Sequence, residues 1–167
     1  MSIHHSDIIA DIAKVYEPEV YVELGLFEGE TWSKVLPRAG KSVGVDVVDR
    51  NIKGGTIHIQ TTDEFFKHFD ETIDMAFIDA DHCFESVLRD FKNVSKLLSP
   101  QGVIMLHDTD PESDKLFDKG YCGDAYKMVD WLQNNEEYNS VTIPVREAGL
   151  TIVTKKNNTR THGRAVK

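Results

Sequence analysis

Short apolar runs alternate along the chain with amphipathic segments, a pattern that predicts an α/β fold in which helices cross over a sheet. The first amphipathic segment, residues 6–16, has apolar side chains at helical spacing and ends before Pro18. Further helices are predicted over residues 28–36, 63–69, 83–98 and 124–134. Strands are predicted over residues 20–23, 42–46, 56–59, 73–78, 103–106, 141–145 and 150–154.

Turn residues mark several connections between these elements. Residues 99–102, Ser-Pro-Gln-Gly, predict a turn before the fifth strand, and the last two strands are predicted to form a hairpin around residues 147–149. Residues 109–123 are acidic and lack clear periodicity, which fits either an active-site lid or a disordered surface loop. No repeat or interdomain linker interrupts the pattern, so we expect a single domain over residues 1–154.

The formal net charge of −9 is unevenly distributed along the chain. Residues 155–167 hold five Lys and Arg side chains and no acid, whereas the preceding 154 residues hold 14 basic and 28 acidic side chains. Such an acidic body repels phosphate backbones, which argues against a nucleic-acid partner. The basic segment is interpreted as a disordered tail, with a nucleic-acid-binding arm as the alternative.

Hydrophobicity and cysteine content bear on the cellular compartment. No run of 18 apolar residues occurs, and residues 1–11 lack the apolar stretch of a signal peptide. Cys83 and Cys122 are the only cysteines, and they do not have the spacing of a metal site. We therefore expect a cytoplasmic protein with two reduced thiols and no membrane partner.

The first strand leads through a glycine turn into a helix, an arrangement that forms a cleft for a nucleotide-like ligand. Glu23 ends the predicted strand, and Gly25 and Gly29 follow it. The usual dinucleotide motif has a second glycine where this chain has Phe27, whose side chain would crowd a pyrophosphate. A carboxylate at the strand end suits a cationic ligand, although Glu23 could instead interact with the dipole of the next helix.

Acidic or polar residues lie at the end of each of the first five predicted strands, or directly after it. They are Glu23, Asp46, Thr61 with Thr62, Asp79, and His107 with Asp108. Because the ligand crevice of an open α/β sheet lies outside the carboxyl ends of its strands, we expect these residues to converge on one edge. Asp46 could accept both hydroxyl hydrogens of a ribose there, or it could cap the turn after its strand. Asp49 is the alternative ribose ligand.

Two stretches resemble motifs of small-molecule O-methyltransferases. Residues 73–82, Ile-Asp-Met-Ala-Phe-Ile-Asp-Ala-Asp-His, are similar to the fourth motif, and residues 102–109, Gly-Val-Ile-Met-Leu-His-Asp-Thr, are similar to the motif of the fifth strand. Together with the glycine turn, they resemble class I S-adenosylmethionine-dependent methyltransferases, in particular methyltransferase family 24. That family is related to sugar and macrolide O-methyltransferases and, more distantly, to catechol-type enzymes. The resemblance covers residues 20–109 and the final hairpin.

This resemblance implies a Rossmann-like fold, with a mostly parallel seven-stranded sheet, an antiparallel last strand and helices on both faces. It also implies S-adenosylmethionine as the cofactor. The implied cofactor-binding residues are Glu23, Gly25 and Gly29 at the methionine part, Asp46 at the ribose, Thr62 and Asp63 at the adenine, and Asp79 at the methyl-transfer site.

A divalent cation, Mg²⁺ or Mn²⁺, is a further implication, because metal-dependent relatives hold one at the positions of Asp79, His107 and Asp108. Strands lie about 4.8 Å apart, so side chains at the ends of the fourth and fifth strands could share an ion. Those relatives have an oxygen ligand where this chain has His107, and an imidazole favours Mn²⁺, Fe²⁺ or Zn²⁺ over Mg²⁺. The sequence therefore leaves the metal requirement open.

A histidine could instead act as the base that removes the proton of a hydroxyl acceptor, a role worth about 10²- to 10⁴-fold in rate. His107 and His82 are the candidates beside Asp79, and either could be a structural histidine. His4 and His5 are predicted to lie at a mobile terminus.

The sequence thus predicts an S-adenosylmethionine-dependent methyltransferase that acts on a hydroxyl group of a small molecule, with a sugar as one acceptor class. Two alternatives stay open. One is a nicotinamide-dependent oxidoreductase, which Asp46 would allow, and the other is a nucleoside-binding module without turnover, since no inserted cap for an acceptor is visible. A homodimer would supply the missing wall, but the sequence does not reveal one.

Overall fold

The computed structural model describes residues 3–118, 120–146 and 148–156, and within those ranges it contains seven strands and five α-helices. The strands are β1 (Val20–Leu24), β2 (Lys41–Asp46), β3 (Thr56–Ile59), β4 (Ile73–Ile78), β5 (Leu98–His107), β6 (Tyr138–Ile143) and β7 (Leu150–Lys155). The helices are α1 (His5–Tyr16), α2 (Glu30–Val35), α3 (Thr62–Phe65), α4 (Phe84–Leu97) and α5 (Lys127–Gln133). Two short 3₁₀ helices span Leu36–Arg38 and Asp114–Phe117.

All seven strands belong to one sheet, in the order β3-β2-β1-β4-β5-β7-β6. The first five strands run parallel, while β7 is antiparallel to both of its neighbours, β5 and β6. The expected Rossmann-like sheet with an antiparallel last strand is therefore confirmed. Because Leu24 pairs with Ile78 and Ile78 pairs with Leu106, strands β1, β4 and β5 end at the same edge of the sheet.

Buried hydrophobic clusters cover both faces of the sheet. On one face, Phe91 of α4 belongs to the same cluster as Val22 of β1. On the other face, Ile9 of α1 and Trp32 of α2 belong to the cluster of Tyr21. Successive residues of a strand point to opposite faces, which is why the adjacent Tyr21 and Val22 belong to different clusters. Within the described ranges, no helix is both long enough and apolar enough to span a membrane.

The main difference from the predicted elements lies at residues 99–102, which extend β5 instead of forming a separate turn. Ile73 pairs with Leu98 and Met75 pairs with Val103, so the intervening residues of β5 bulge opposite Asp74. The parallel ladder between β4 and β5 continues on both sides of the bulge. The turn-forming residues are therefore accommodated within a strand, which lengthens β5 at the edge opposite its carboxyl end.

Smaller differences concern element ends. Thr61 caps α3, since its Oγ1 accepts the N–H of Glu64 at 3.2 Å, but the helix ends at Phe65 and not at the predicted residue 69. The predicted hairpin forms, and β6 begins at Tyr138 because its pairing with β7 extends to Lys155. Lys155 is thus the last residue of β7 and not the first residue of a tail. Residues 157–167 and Glu147 of the predicted hairpin turn lie outside the described residues.

Candidate active site

A cleft of about 530 Å³ opens at the edge of the sheet where β1, β2, β4 and β5 end. Its volume is within the range of small-molecule sites. The sequence-predicted site residues that line it are Gly25, Asp46, Thr62, Asp79, His82, His107 and Asp108. The structure thus brings residues from the ends of five separate segments to one place.

Gly25 brings the end of β1 against the end of β4. Its φ of +85° lies in the left-handed region, and its N–H donates to the Val45 carbonyl at 2.8 Å. A Cβ atom built on Gly25 would lie 2.2 Å from the carbonyl oxygen of Asp79, so only glycine permits this approach of two backbones. Gly29 lies farther along the turn as the N-cap of α2, beside Ile52, and is not a lining residue of the cleft.

The Asp46 carboxylate ties the glycine turn to the end of β2. Its Oδ2 accepts the N–H groups of Leu26 and Phe27 at 3.0 and 3.2 Å, and its Oδ1 accepts the N–H of Val48 at 2.9 Å. Because a carboxylate has about four acceptor positions, about one stays available to a ligand. Asp46 therefore caps the turn after its strand and also lines the cleft, whereas Asp49 is not a lining residue.

Glu23 is buried inside β1, because the strand continues to Leu24. The residue is only 1% exposed, and its carboxyl accepts hydrogen bonds from the Tyr21 hydroxyl, at 2.6 Å, and from the backbone N–H of Trp32 in α2. Burial raises the pKa of Glu23 to about 8, so the carboxyl is mostly protonated at neutral pH. Glu23 thus contacts the next helix, which was the alternative to binding a cationic ligand. The residue does not line the cleft.

The residues after β3 divide between the cleft and the surface. Thr62 lines the cleft. The next residue, Asp63, is exposed and forms an ion pair with Arg89 at 2.7 Å. Neighbouring side chains of a helical turn point in different directions, which separates these two residues. Of these two residues, only Thr62 lines the cleft.

Two aspartates and two histidines form a connected group at the ends of β4 and β5, and Asp79, His82, His107 and Asp108 are here termed the acid–histidine cluster. The Nδ1 atom of His107 lies 3.1 Å from Asp79 Oδ1 and 3.3 Å from Asp108 Oδ1. The Nε2 atom of His82 lies 3.2 Å from Asp108 Oδ2 and 3.8 Å from Asp79 Oδ1. Each carboxylate therefore lies close to both imidazoles.

The cluster fixes the charge of His107. Burial alone would lower the pKa of His107, but the charges and hydrogen bonds of Asp79 and Asp108 outweigh burial and raise that pKa to about 10. Burial would raise the pKa of Asp108, but His107 overrides burial and lowers it. An imidazolium between two carboxylates leaves these three groups with a net negative charge, which suits a cationic ligand.

The described part of residues 109–123 forms a folded wall of the cleft. The N–H of Cys122 donates to the Leu116 carbonyl at 2.9 Å, which closes the segment on itself. The N–H of Asp124 donates to the His82 carbonyl at 3.0 Å, which fastens the segment to the loop after β4. Both Leu116 and Cys122 line the cleft. The position of this segment corresponds to the lid interpretation of the sequence.

A comparison with known families bears directly on what this cleft does. Residues 29–109 match the family model described as a methyltransferase domain. Just under half of this chain therefore matches a methyltransferase domain. The matched residues include Asp46, Asp79 and the pair His107 and Asp108, and the match confirms the resemblance to methyltransferase family 24 that the motifs indicated.

Solved methyltransferases share the fold of this domain at low sequence identity. An O-methyltransferase from Bacillus cereus in complex with SAH gives a TM-score of 0.71 at 14% identity, over 93% of this chain and 82% of that chain. The O-methyltransferase TomG from Streptomyces achromogenes, in complex with SAM, gives 0.68 at 15% identity, over 91% and 79%. An rRNA methylase from Streptococcus thermophilus gives 0.66 at 11% identity, over 90% and 93%. The methyltransferase fold is thus compatible with different acceptors.

A relative by sequence is an uncharacterized protein of Acanthamoeba polyphaga mimivirus. It is 26% identical to this protein, over 62% of this chain and 58% of that protein. The match therefore spans less than two thirds of the relative's length.

The cleft has further lining residues that the sequence analysis did not name as ligand-binding residues. Gln60 directly follows β3, so the strand-end rule itself would have found it. Arg50 and Phe27 also line the cleft, with the guanidinium carbon 5.0 Å from the ring centroid. Tyr121 lines the wall after β5. These three residues lie in loops, where no periodic pattern marks them.

His4 and His5 are not at a mobile terminus, which corrects the sequence-based expectation. His4 is the N-cap of α1, and its Nδ1 accepts the N–H of Ser6 at 3.2 Å. His5 begins the helix, and its ring centroid lies 4.0 Å from that of His107. Burial and the neighbouring His107 lower the pKa of His5 to about 3, so its ring is neutral. No sequence pattern showed where α1 would pack.

Three residues of the cleft form a group that could hold a metal ion. Ligand atoms of Asp79, His82 and Asp108 all lie within 4.8 Å of one another. The structure therefore adds His82 as a candidate ligand, while the Nδ1 atom of the sequence-predicted His107 also lies within 3.3 Å of both carboxylates. Two carboxylate oxygens with an imidazole nitrogen suit Mn²⁺, Fe²⁺ or Zn²⁺ better than Mg²⁺.

Proposed function

We propose that this protein transfers the methyl group of S-adenosylmethionine to a hydroxyl group of a small molecule. The observation that carries the proposal is that one cleft contains the glycine turn at Gly25, the Asp46 carboxylate and the acid–histidine cluster. SAM and SAH in the similar O-methyltransferases support the choice of cofactor. The net charge of −9 supports a small-molecule acceptor over a nucleic acid.

The order of the strands gives the cofactor a direction in the cleft. Asp46 and Thr62 belong to the side of β2 and β3, Gly25 follows β1, and Asp79 follows β4. In the proposed pose, the nucleoside lies over β2 and β3 and the sulfonium lies near Asp79, whose carboxylate attracts it. The acceptor then approaches from the β5 side, beside Tyr121.

We assign His82 as the base for the acceptor hydroxyl. In methyl transfer the new O–C bond forms as the C–S bond breaks, and the hydroxyl proton leaves to a base. His107 cannot accept that proton, because with a pKa of about 10 its ring is already protonated. His82 lines the cleft, and Asp108 Oδ2 at 3.2 Å would orient its ring and stabilise the protonated form.

A divalent cation is the second means of activation that the cluster supports. Asp79, His82 and Asp108 would hold it, because their ligand atoms all lie within 4.8 Å of one another. When bound, the ion would polarise the acceptor hydroxyl and favour loss of its proton. His82 would then be a ligand and not the base, so the two arrangements differ in their response to a chelator.

Calorimetric titration with S-adenosylhomocysteine tests the cofactor assignment. We expect micromolar binding, about −8 kcal/mol, and no binding of NADH. Asp46→Asn is expected to weaken binding about tenfold, because a charge-assisted hydrogen bond is lost. Asp49→Asn is the matched control, since Asp49 does not line the cleft. Binding of NADH without binding of S-adenosylhomocysteine would overturn the proposal in favour of a nicotinamide enzyme.

Methyl transfer from labelled S-adenosylmethionine to a panel of hydroxylated sugars and phenols tests the chemistry. His82→Ala is expected to lower kcat about 10²- to 10⁴-fold while S-adenosylhomocysteine binding persists. Activity that survives EDTA supports His82 as the base, whereas activity lost to EDTA and restored by Mn²⁺ assigns the cation instead. Cofactor binding without transfer to any acceptor of the panel would identify a binding module and contradict the enzymatic proposal.

A further inference from the structure

We propose that His5 is a positioning residue, whose ring holds the His107 imidazole in the orientation that faces Asp79 and Asp108. The two ring centroids lie 4.0 Å apart, and the ring planes are tilted by 54°. His5 belongs to α1 and is not a lining residue of the cleft. Its contact with the acid–histidine cluster therefore runs through His107.

A third ring completes this contact. Phe77 of β4 is 1% exposed, and its centroid lies 5.8 Å from that of His5 and 6.2 Å from that of His107. The His107 side chain is 17% exposed, so protein atoms cover most of it. His5 and Phe77 together form the packed surroundings of the His107 ring on the side of α1.

Such packing matters because the bond that orients a histidine ring has a broad, roughly two-fold torsional profile. A half-turn of the His107 ring exchanges Nδ1 with a carbon atom. The contacts of Nδ1 with Asp79 at 3.1 Å and with Asp108 at 3.3 Å would then be lost. The contacts with the two carboxylates favour one orientation, and the packed rings of His5 and Phe77 hinder the half-turn to the other.

The start of α1 is held firmly enough for this task. Ser6 is fully buried, and its Oγ donates to Glu30 Oε1 at 3.0 Å. The Lys34 ammonium donates to Ser6 Oγ at 2.8 Å and to Glu30 Oε1 at 3.1 Å. Glu30 and Lys34 both belong to α2, which follows the glycine turn. The backbone beside His5 is thus tied to the helix that begins at the edge of the cleft.

Three variants separate ring packing from other roles of His5. His5→Ala removes the ring, and His5→Phe keeps a ring without nitrogen atoms. Val15→Ala is the control on the same helix, because Val15 is 87% exposed. In ¹H–¹⁵N spectra of histidine-labelled protein, with His107 assigned by comparison with His107→Gln, we expect one set of His107 ring signals for the unmodified protein, His5→Phe and Val15→Ala. His5→Ala is expected to broaden or double those signals.

Activity gives a second readout, which rests on the proposed function. His5→Ala is expected to lower kcat about ten- to a hundredfold, as misplacement of a reacting group does, without changing S-adenosylhomocysteine affinity. His5→Phe should retain most of the activity of the unmodified protein. Unchanged His107 signals in His5→Ala would overturn the proposal, and so would a His5→Phe variant as impaired as His5→Ala. If His5→Ala does not fold, broadened or doubled His107 signals in His5→Phe would overturn the proposal.

The two readouts also separate failure of this proposal from failure of the proposed function. Absence of S-adenosylhomocysteine binding to the unmodified protein would contradict the cofactor assignment. The His107 signals need neither cofactor nor acceptor, so they would still decide whether His5 positions the ring.

Discussion

The imidazole of His107 carries a proton because its Nδ1 lies within 3.3 Å of two carboxylates. His82 contacts one of the same carboxylates, Asp108, at 3.2 Å, but its side chain is more exposed, at 30% against 17% for His107. Two histidines at the ends of neighbouring strands thus meet different surroundings. At the scale of the residue, these surroundings hold His107 as a fixed positive charge and leave the His82 side chain more accessible from the cleft.

Gly25 yields the sharpest prediction at this scale. We expect Gly25→Ala to destabilise the protein by more than about 1–3 kcal/mol, the cost of a strained positive φ alone, because the new Cβ also meets the Asp79 carbonyl at 2.2 Å. Urea unfolding measures the loss of stability, and calorimetry should show loss of S-adenosylhomocysteine binding. Gly120→Ala is the control for stability alone, since Gly120 lines the cleft but a Cβ there would meet only Asp118 Oδ1, at 3.8 Å. A stable Gly25→Ala variant with intact binding would contradict this account of the turn.

Helix α4 shows, at the scale of the element, how distant segments complete one another. Its N-cap residue, Cys83, makes no capping hydrogen bond with its side chain. Asp124, which precedes α5, supplies the missing acceptor, since its Oδ1 accepts the N–H of Phe84 at 2.6 Å. The same residue donates its own N–H to the His82 carbonyl. One aspartate therefore caps α4 and fastens the wall of the cleft.

Removal of this cap gives a prediction at the scale of the element. Asp124→Ala is expected to lower the free energy of unfolding by about 1 kcal/mol, the usual cost of a lost N-cap. Lys127→Ala removes only the exposed ion pair of Asp124 with Lys127, at 2.8 Å, and should cost no more than about 0.5 kcal/mol. Urea unfolding of both variants checks the difference. Equal losses in the two variants would show that the cap contributes nothing beyond the ion pair.

The bounds of an element can be predicted when residues within or directly beside it determine them. Strands β3 and β4 have the predicted bounds, because apolar runs flanked by turn residues define them within the sequence. The start of β6 at Tyr138 depends on its register with β7, and the start of α5 at Lys127 follows the turns of the preceding wall. Pairing between strands decides such ends, and a single sequence does not encode it locally.

Two buried groups of the molecule, Glu23 and His107, take up protons when the protein folds. Burial raises the pKa of Glu23 from 4.5 to about 8, and the two carboxylates around His107 overcome burial and raise its pKa from 6.5 to about 10. As the pH rises from 4.5 to about 8, Glu23 therefore progressively lowers the free energy of unfolding. His107 stabilises the fold fully below pH 6.5, and this contribution is lost as the pH rises to about 10. Both groups make the folded state less stable at alkaline pH.

We therefore expect the free energy of unfolding to fall by a few kcal/mol, to order of magnitude, between pH 6.5 and 9 at constant ionic strength, a range above that in which the lowered pKa of His5 acts in the opposite direction. Urea titrations across this range measure it. Glu23→Gln keeps an acceptor for Tyr21 but cannot ionise, so its stability should vary less between pH 4.5 and 8. Stability that rises from pH 6 to 9, or a Glu23→Gln variant with an unchanged slope, would contradict the raised pKa values.

The sequence by itself determined the alternation of strands and helices and the edge at which polar residues gather. Periodicity and turn chemistry are local properties, and the carboxyl ends of parallel strands share one edge in any sheet of this topology. Asp46, Asp79 and Asp108 could be placed near one another on that basis. The motifs around residues 73–82 and 102–109 also indicated the resemblance to methyltransferases, because each motif is short and contiguous in the chain.

Only the tertiary structure decided which of these side chains meet. Glu23 lies one residue before the end of β1, and that single step turns its carboxyl away from the cleft lining and toward Trp32. His5 reaches His107 because α1 docks beside α2. A one-residue change of register reverses the face of a strand, and the docking of a helix depends on contacts with distant residues. The directions of these side chains are therefore properties of the packed molecule.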